Sequence, residues 1–478
     1  MLMGNFRIMQ ISRLICRQGS RALLACSLWL CASVAGVCDA MVHAAETRIL
    51  TLEQALELAD TRNRDIQKAR EFYRQVDGKY VEERSAALPQ LTFTAHGARL
   101  QDDSQYNLSR GLNPLTQDSL TADIGLSQAL FTWGKVGAAI RAAEKGYQLA
   151  DERLRTARQD TRFDVTVAFH DILLAREQHA IAKQNLDQKA RHQDEAQRRF
   201  AAGVATDYDV LAATVAVENA RPEVIRTGNQ LRVAKDRLRF LLALEEDLEV
   251  SGSLESVEMP IPTHDEALRA ALRQRPELAE LRRRLDIAGE LVKIANAEDK
   301  PRLDLKGSYG WHRLSASDIS GSGKAWNLGL FISFPFFDGL KTRGKVVQAE
   351  SDQRSLAIEE AKLSDSISLE IRNAISAVRE STEIVRALSG TVAQAERLLA
   401  MAEKGFEYGV KIRLEVEDAE LNLLQARGNL ARARRDYLAA RAGLQRVMGE
   451  SPTSAPVDKT AQTAKYTVAS GQALIANR

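Results

Sequence analysis

Cysteine is almost missing from this 478-residue chain, and its few positions are informative. All four cysteines (Cys16, Cys26, Cys31, Cys38) fall within the first 38 residues. The remainder can form neither disulfides nor thiolate metal sites. An excess of one charge is missing too: 66 basic side chains stand against 64 acidic ones. With no clustered basic face, nucleic acid is not a partner. Long apolar runs are absent except for one near the start, and the mean hydropathy is −0.28. A membrane-spanning helix needs about 20 nearly uncharged residues, so a polytopic helical membrane protein is excluded. The averages (45% hydrophobic, 27% charged, 5% aromatic) describe a soluble helical protein. The length by itself allows about two to four domains.

The single apolar run has the form of an export signal. Arg7, Arg13, Arg17 and Arg21 make a basic leader, residues 22–37 an apolar stretch, and Val42-His43-Ala44 a small-residue cleavage site, which predicts a secretory signal peptide over 1–44. Cleavage there removes every cysteine and reverses the charge balance to 62 basic against 63 acidic residues. Leu23-Leu24-Ala25-Cys26 resembles a lipobox, but only four residues separate Cys26 from Arg21. That spacing leaves no apolar stretch upstream of the cut, so lipidation is not expected.

The rest of the chain is a duplication. Thr51-Leu52-Glu53-Gln54-Ala55-Leu56 returns as Thr263-His264-Asp265-Glu266-Ala267-Leu268, and Pro89-Gln90-Leu91 as Pro301-Arg302-Leu303, both 212 residues on. Later the offset is 206: Phe200-Ala201-Ala202-Gly203-Val204 returns as Phe406-Glu407-Tyr408-Gly409-Val410. This predicts a first repeat over 45–262, ending in an acidic linker, a second over 263–450, and a loose Ser/Thr/Ala-rich tail over 451–478.

Each repeat reads as helix, strand, strand, long helix, turn, helix. Period-2 alternation in Leu303, Leu305, Gly307, Tyr309, Trp311 and in Leu328, Leu330, Ile332, Phe334, Phe336 predicts strands at about 301–312 and 326–337. Weaker alternation predicts strands at about 89–100 and 119–131. Each is about the length a tilted strand needs to cross a bilayer. Polar segments around residues 110 and 318 are read as their connections.

The long helices, about 134–202 and 340–408, would each extend roughly 100 Å. That length points to a coiled coil. Val416, Ala419, Leu423, Ala426, Leu430, Ala433, Tyr437, Ala440, Leu444 and Val447 keep strict 3-4 spacing, and the same seam recurs 206 residues earlier from Val210 to Leu241. Ile371, Val378, Val385, Val392 and Leu399 form the facing seam, with small residues three positions on. Turns fall at about 203–206 and 409–412. Pro222 and its counterpart Gly428 predict a local kink at one height in both copies.

Four strands cannot close a barrel, and open strand edges are not tolerated in hydrocarbon. Three chains would supply 12 strands, an even number within the range of outer-membrane barrels. Phe131, Trp133, Trp326, Phe336 and Phe337 then sit where interfacial aromatics belong. The fold class is therefore mainly α with a small β part: long coiled-coil helices forming an α-barrel, and four strands per chain in a trimeric transmembrane β-barrel.

Certain motifs carry a family resemblance over nearly the whole mature chain. Phe131-Thr132-Trp133-Gly134-Lys135 and its copy Phe337-Asp338-Gly339-Leu340-Lys341 resemble the strand-to-helix corner of the TolC family of outer-membrane channels. The two turn motifs, followed by Asp209-Val210 and Glu415-Val416, resemble that family's helix tips. The resemblance implies a homotrimeric duct in the outer membrane, in contact with its lipid, with the helical barrel in the periplasm. It also implies a periplasmic adaptor and an inner-membrane transporter of ABC or RND type. On this resemblance Gly203, Val204, Gly409 and Val410 are the adaptor-docking tips, and Asp207, Asp209, Glu403, Glu415 and Glu417 are candidates for a periplasmic gate beside Lys411 and Arg413.

Nothing in the sequence supports catalysis, and no cofactor is implied. His96, His170, His179, His192, His264 and His312 show no metal-ligand spacing, and His179 falls on a heptad seam where a satisfied core histidine is expected. Gly323-Lys324 is followed by Ala325 where a phosphate-binding loop needs Ser or Thr, and Asp318 stands in place of the first Gly. The expected function is passive export of either a type I secreted protein or small toxic compounds. The competing reading is a non-channel periplasmic coiled-coil adaptor, against which the duplicated membrane-length strands argue.

Overall fold

A computed structural model describes residues 48–102, 115–255, 258–316 and 319–450. The signal peptide and the C-terminal tail lie outside the described residues. Eight helices are described: α1 (Leu52–Arg62), α2 (Arg64–Ser85), α3 (Lys135–Ala201), α4 (Asp207–Leu242), α5 (His264–Gln274), α6 (Pro276–Asn296), α7 (Lys341–Glu407) and α8 (Arg413–Val447). The strands are β1 (Arg48–Leu50), β2 (Gln90–Asp102), β3 (Leu115–Phe131), β4 (Leu248–Val250), β5 (Arg302–Ala316) and β6 (Ile319–Ser333).

The repeated motifs are repeated caps. The Thr51 hydroxyl accepts from the Gln54 amide while the Thr51 N–H donates to the Gln54 side chain, closing a capping box that starts α1. Thr263 and Glu266 do the same for α5. The first helix pair breaks at Asn63, whose side chain accepts from the Asp65 and Ile66 amides and donates to the Leu241 carbonyl. The second breaks at Arg275, where Pro276 takes the first position of α6 and costs no helical hydrogen bond.

The long helices α3 and α7 each run 67 residues, about 100 Å at 1.5 Å per residue. α3 pairs with α4, and α7 with α8, as two hairpins lying side by side through contact of α3 with α8. Much of the seam read from the sequence is buried: Val416, Ala419, Leu423, Ala426, Leu430, Ala433, Tyr437 and Leu444 on α8, Ile371, Val378, Ser381, Ala395 and Ala402 on α7, and Val217, Ala220, Thr227 and Leu238 on α4, while Val385, Val392, Leu399, Ala440 and Val447 are half-buried. Small seam residues let the helices approach closely. α4 stays helical through Pro222, and α8 through Gly428. The main core gathers around β1 and β4, paired in parallel, where Leu50, Leu248 and Val250 meet Val165, Phe169, Ile172, Leu238 and Leu242.

The other four strands form one antiparallel sheet in the order β2-β3-β5-β6. Its strands differ from the sequence expectation at their ends. β6 spans 319–333 rather than 326–337, so Trp326 lies inside the strand, while Phe334, Phe336 and Phe337 lie beyond it. Pro335 explains the early stop: it has no N–H for the ladder, and it restricts the residue before it. At the other end β3 starts at Leu115 and β5 runs to Ala316, through residues expected to be loop. The Ser- and Gly-rich segment 319–324 pairs with 311–316 because ladder hydrogen bonds come from the backbone and need no apolar side chain.

Candidate functional site

Register sorts the sheet into two faces. Leu91 lies opposite Leu126, Phe93 opposite Ile124, Ile124 opposite Tyr309, Tyr309 opposite Trp326, and Leu305 opposite Leu330. These residues share one face with Ile332, and most of them are solvent-exposed in the single chain, Ile332 at 76% and Trp326 at 75%, while Leu126 and Leu305 are half-buried. The opposite face is mostly polar, with Leu100, Leu314 and Phe331 as large apolar members. Thr94, Asp123 and Gly310 share a row, as do His96, Thr121 and His312. There His312 Nε2 lies 2.6 Å from Asp123 Oδ1, and the Asn327 amide donates to the Ser308 hydroxyl at 2.8 Å. An apolar face backed by a polar one is the pattern of a barrel wall between lipid and water. β2 and β6 are the edges, and each has a partner on one side only among the described residues.

At the corner, the chain turns from strand to helix through two consecutive left-handed residues in each copy, Trp133 and Gly134 (φ 51° and 80°) and Gly339 and Leu340 (φ 68° and 67°). The two pairs are equivalent under the 206-residue offset. Each copy therefore has one glycine to ease this backbone and one residue that bears the strain, on the order of 1–2 kcal/mol. The new helices are then capped alike: the Thr132 hydroxyl accepts from the Val136 amide, and Asp338 from the Thr342 amide. Of the aromatics named from the sequence, Phe131 and Trp133 touch edge to face at 5.3 Å. Phe336 and Phe337 project into solvent at 91% and 80% exposure. Glu298 receives Lys135 at 3.4 Å and Lys345 at 2.6 Å, tying the starts of α3 and α7 together.

At the far end, both long helices stop in the same hydrogen-bonded turn. Gly203 donates to the Phe200 carbonyl and Val204 to that of Arg199; Gly409 donates to Phe406 and Val410 to Gly405. Both glycines are left-handed (φ 75° and 71°). This is the Schellman ending, for which glycine is the natural residue. The tip presents Val204, Tyr208, Tyr408, Val410, Ile412 and Leu414 to solvent.

The five acidic residues named from the sequence divide by role. Asp209 and Glu415 occupy equivalent cap positions. Asp209 accepts from the Thr206 N–H and hydroxyl, both at 2.8 Å, which hold its carboxyl below the ordinary range. Glu415 accepts from Lys411 at 2.5 Å and from the Ile412 N–H at 3.1 Å, with the same effect. Glu417 pairs with Arg413 at 3.2 Å. Asp207 and Glu403 are exposed. His179, as the seam position suggested, is half-buried and shares a 3.1 Å hydrogen bond with Thr227.

Three buried carboxylates escaped the sequence reading: Asp304, which accepts from Arg302 two residues away at 2.7 Å, and two on the helices. Glu290 on α6 lies under Arg141, Lys145 and Lys293. Burial opposes its ionisation, but the hydrogen bonds from Lys293 and Arg141 prevail and bring its pKa down to about 2. Glu420 on α8 is held by Gln188, Lys189 and His192 of α3. Glu420 directly follows the seam residue Ala419, the one signal available, but its partners lie more than 200 residues away.

A four-stranded sheet with one apolar and one polar face, standing on two helical hairpins whose long arms run about 100 Å, defines a barrel-forming channel protein. Among the described residues no helix is long and apolar enough to cross a membrane. Residues 55–244 and 267–450 match the outer membrane efflux protein family, and the chain belongs to it. It is similar to the alkaline protease secretion protein AprF of Pseudomonas aeruginosa, 28% identical over 76% of both chains. It is equally similar to the cobalt-zinc-cadmium resistance protein CzcC of Cupriavidus metallidurans, 29% identical over 79% of this chain and 85% of that one. Among solved structures, the CmeC outer membrane channel of Campylobacter jejuni shares the fold with a TM-score of 0.73 at 18% identity, covering 87% of this chain and 88% of that one. The protein is thus an outer-membrane channel protein with its helical barrel in the periplasm, and not an enzyme. The adaptor reading is set aside by this membership.

Proposed function

We propose that three copies of this chain close one continuous duct, in which β6 of each protomer pairs with β2 of the next and the helical hairpins extend the wall into the periplasm. The observation that carries this reading is the sheet with two open edges. Its strands are long enough to cross a bilayer, yet unpaired edges there would leave backbone N–H and C=O groups without partners. Exposed apolar residues on α4 (Tyr208, Leu211, Val215, Ile225, Val233, Phe240) support it, since they lie off the buried seam and suit a neighbouring hairpin.

The duct is the passive exit of a tripartite exporter. A periplasmic adaptor docks on the tips at Gly203, Val204, Gly409 and Val410. Around the entrance Asp207, Asp209, Glu403, Glu415 and Glu417 form the charged rim from which a gate would be built. An inner-membrane transporter of ABC or RND type supplies energy and selects cargo. Phe131, Trp133, Trp326, Phe336 and Phe337 lie at the membrane interfaces. Both cargo classes fit such a duct, and its relatives' names span both: a secreted protease for AprF and metal-ion resistance for CzcC.

Outer-membrane fractions run without boiling test the assembly. A heat-sensitive trimer is expected, whereas a soluble periplasmic monomer would overturn the duct. For cargo, deletion of this chain is expected to block release of a secreted protein if a toxin-type substrate and its ABC transporter are encoded alongside. Sensitisation to toxic compounds with secretion intact assigns the small-molecule class.

A further inference from the structure

The outward, apolar face of the sheet ends on cations at the hairpin end, the end remote from the helices. Following β5 and β6 in register, Tyr309 lies opposite Trp326, then Trp311 opposite Lys324, then Arg313 opposite Ser322. One step further, on β2 and β3, Arg99 lies opposite Asp118. Because paired residues share a face, all of these project to the same side as Leu328 and Leu330. The helices are periplasmic, so this end of the sheet is extracellular.

The three cations are not equivalent. Arg99 is satisfied by Asp118, Nε to Oδ1 at 2.6 Å and a second nitrogen to Oδ2 at 2.8 Å. Arg313 and Lys324 are exposed and have no hydrogen-bond or ion-pair partner among the described residues. They are diagonal neighbours across the β5–β6 pair, with backbones about 7–8 Å apart. Two positive charges this close, without a partner among the described residues, repel one another, and the adjoining hydrocarbon strengthens the repulsion by lowering the dielectric. A bound anion between them reverses the sign of the interaction. Guanidinium presents a fork that matches phosphate oxygens, and ammonium adds a point charge. Beside them the rings of Trp311 and Trp326 are exposed, with apolar faces suited to the C–H surfaces of a sugar.

We propose that Arg313 and Lys324, with Trp311 and Trp326, bind the phosphorylated sugar headgroup of a glycolipid of the outer leaflet, of the lipid A type. The proposal rests on the reading of the sheet as part of a closed barrel whose apolar face meets lipid. Phosphate alone does not distinguish this lipid from an anionic glycerophospholipid; the exposed tryptophans beside the cations favour a sugar-bearing headgroup.

The test uses the full mature chain, assembled and embedded in nanodiscs of zwitterionic phospholipid. Native mass spectrometry then counts retained bis-phosphorylated lipid A, dephosphorylated lipid A or phosphatidylglycerol. Trimers carrying bis-phosphorylated lipid A in preference to the other two are expected. Arg313→Gln and Lys324→Gln should each lower that retention about fivefold. Arg313→Lys, which keeps the charge, should restore most of it. Trimers that hold all three lipids alike, or variants that retain lipid A undiminished, overturn this proposal and leave the duct standing. Preferential retention of phosphatidylglycerol overturns it as well and reassigns the site to a phospholipid. Absence of trimers in the unmodified protein overturns the duct reading, and the proposal with it.

Discussion

Glu420 accepts a 2.9 Å hydrogen bond from His192 Nε2 across the contact between the two helical hairpins. Gln188 donates to the same carboxylate oxygen, Oε1, and Lys189 Nζ reaches the other at 3.1 Å. The Glu420 side chain is 6% exposed. Burial would raise its pKa, but the hydrogen bonds from His192 and Lys189 outweigh that and hold it below 4.5. The cluster lies about 10–20 Å from the tips, counted along α8 and α3. It joins the first copy to the second near the proposed docking surface.

Glu420→Ala removes the acceptor and leaves Lys189 and His192 facing a low-dielectric gap. A loss of about 3 kcal/mol per chain is expected. Denaturant unfolding of the purified protein measures it, and a loss under about 1 kcal/mol would show that solvent replaces the carboxylate freely. Because the native carboxyl is the stronger acid, its contribution is present above the ordinary carboxylate range. It disappears as pH falls through the lowered value.

His170 gives a second pH dependence, in a higher window. It is buried beside Arg435, and desolvation first, then the arginine's charge, lowers its pKa from 6.5 to about 4. Between those values the unfolded chain takes up a proton that the native chain refuses, so stability falls as pH drops from 6.5 toward 4. At pH 5 the loss is about 2 kcal/mol per chain. His170→Gln should flatten the unfolding free energy between pH 7 and 5 relative to the unmodified protein. An unaltered slope would place the titrating group elsewhere.

Gly203→Val and Gly409→Val place branched residues in left-handed backbone, yet an added Cβ meets nothing within 4 Å at either position. The cost is therefore backbone strain of about 1–2 kcal/mol per site, too little to unfold the hairpin. Trimers should persist on gels while export stops. Asn accepts left-handed backbone, so Gly203→Asn separates two requirements. Export retained in this variant means that only the turn geometry matters, and export lost means that the partner needs a surface without a side chain.

Leu330→Arg and Asn327→Arg put the same charge on opposite faces of β6. On the apolar face the cost should be about 2–4 kcal/mol, seen as loss of the heat-sensitive trimer band. On the polar face, where Asn327 meets Ser308, the band should remain. Equal sensitivity of the two sites would contradict the assignment of the faces.

The two long helices were legible to within a residue. The expected spans 134–202 and 340–408 became Lys135–Ala201 and Lys341–Glu407. Their ends are local events: a left-handed pair at the corner, a glycine at the tip, and Thr-based caps, all encoded within a few residues. Strand ends were less legible. Backbone pairing carried β5 and β6 through Ser- and Gly-rich sequence that shows no alternation, and Pro335 stopped β6 before aromatics that do. Of the candidate site, the tip glycines could be found because a left-handed helix ending selects glycine. The capping roles of Asp209 and Glu415 follow from their place three residues past the cap. The buried carboxylates could not be found, since a glutamate that ends up buried looks like any other.

What the sequence by itself determined is therefore what repeats or acts locally: two copies, a heptad seam shared between them, and paired corners and tips. Each needs only periodicity or a short-range hydrogen bond. What only the tertiary structure decided is what depends on register and on juxtaposition of distant segments. Tyr309, Trp311, Trp326 and Lys324 share a face because β5 and β6 pair with one particular offset, and a slip of one residue would turn half of them to the other side. Glu420 meets His192 across 228 residues only because the two hairpins pack side by side. The same packing makes its carboxylate a buried link between the copies rather than one more exposed charge.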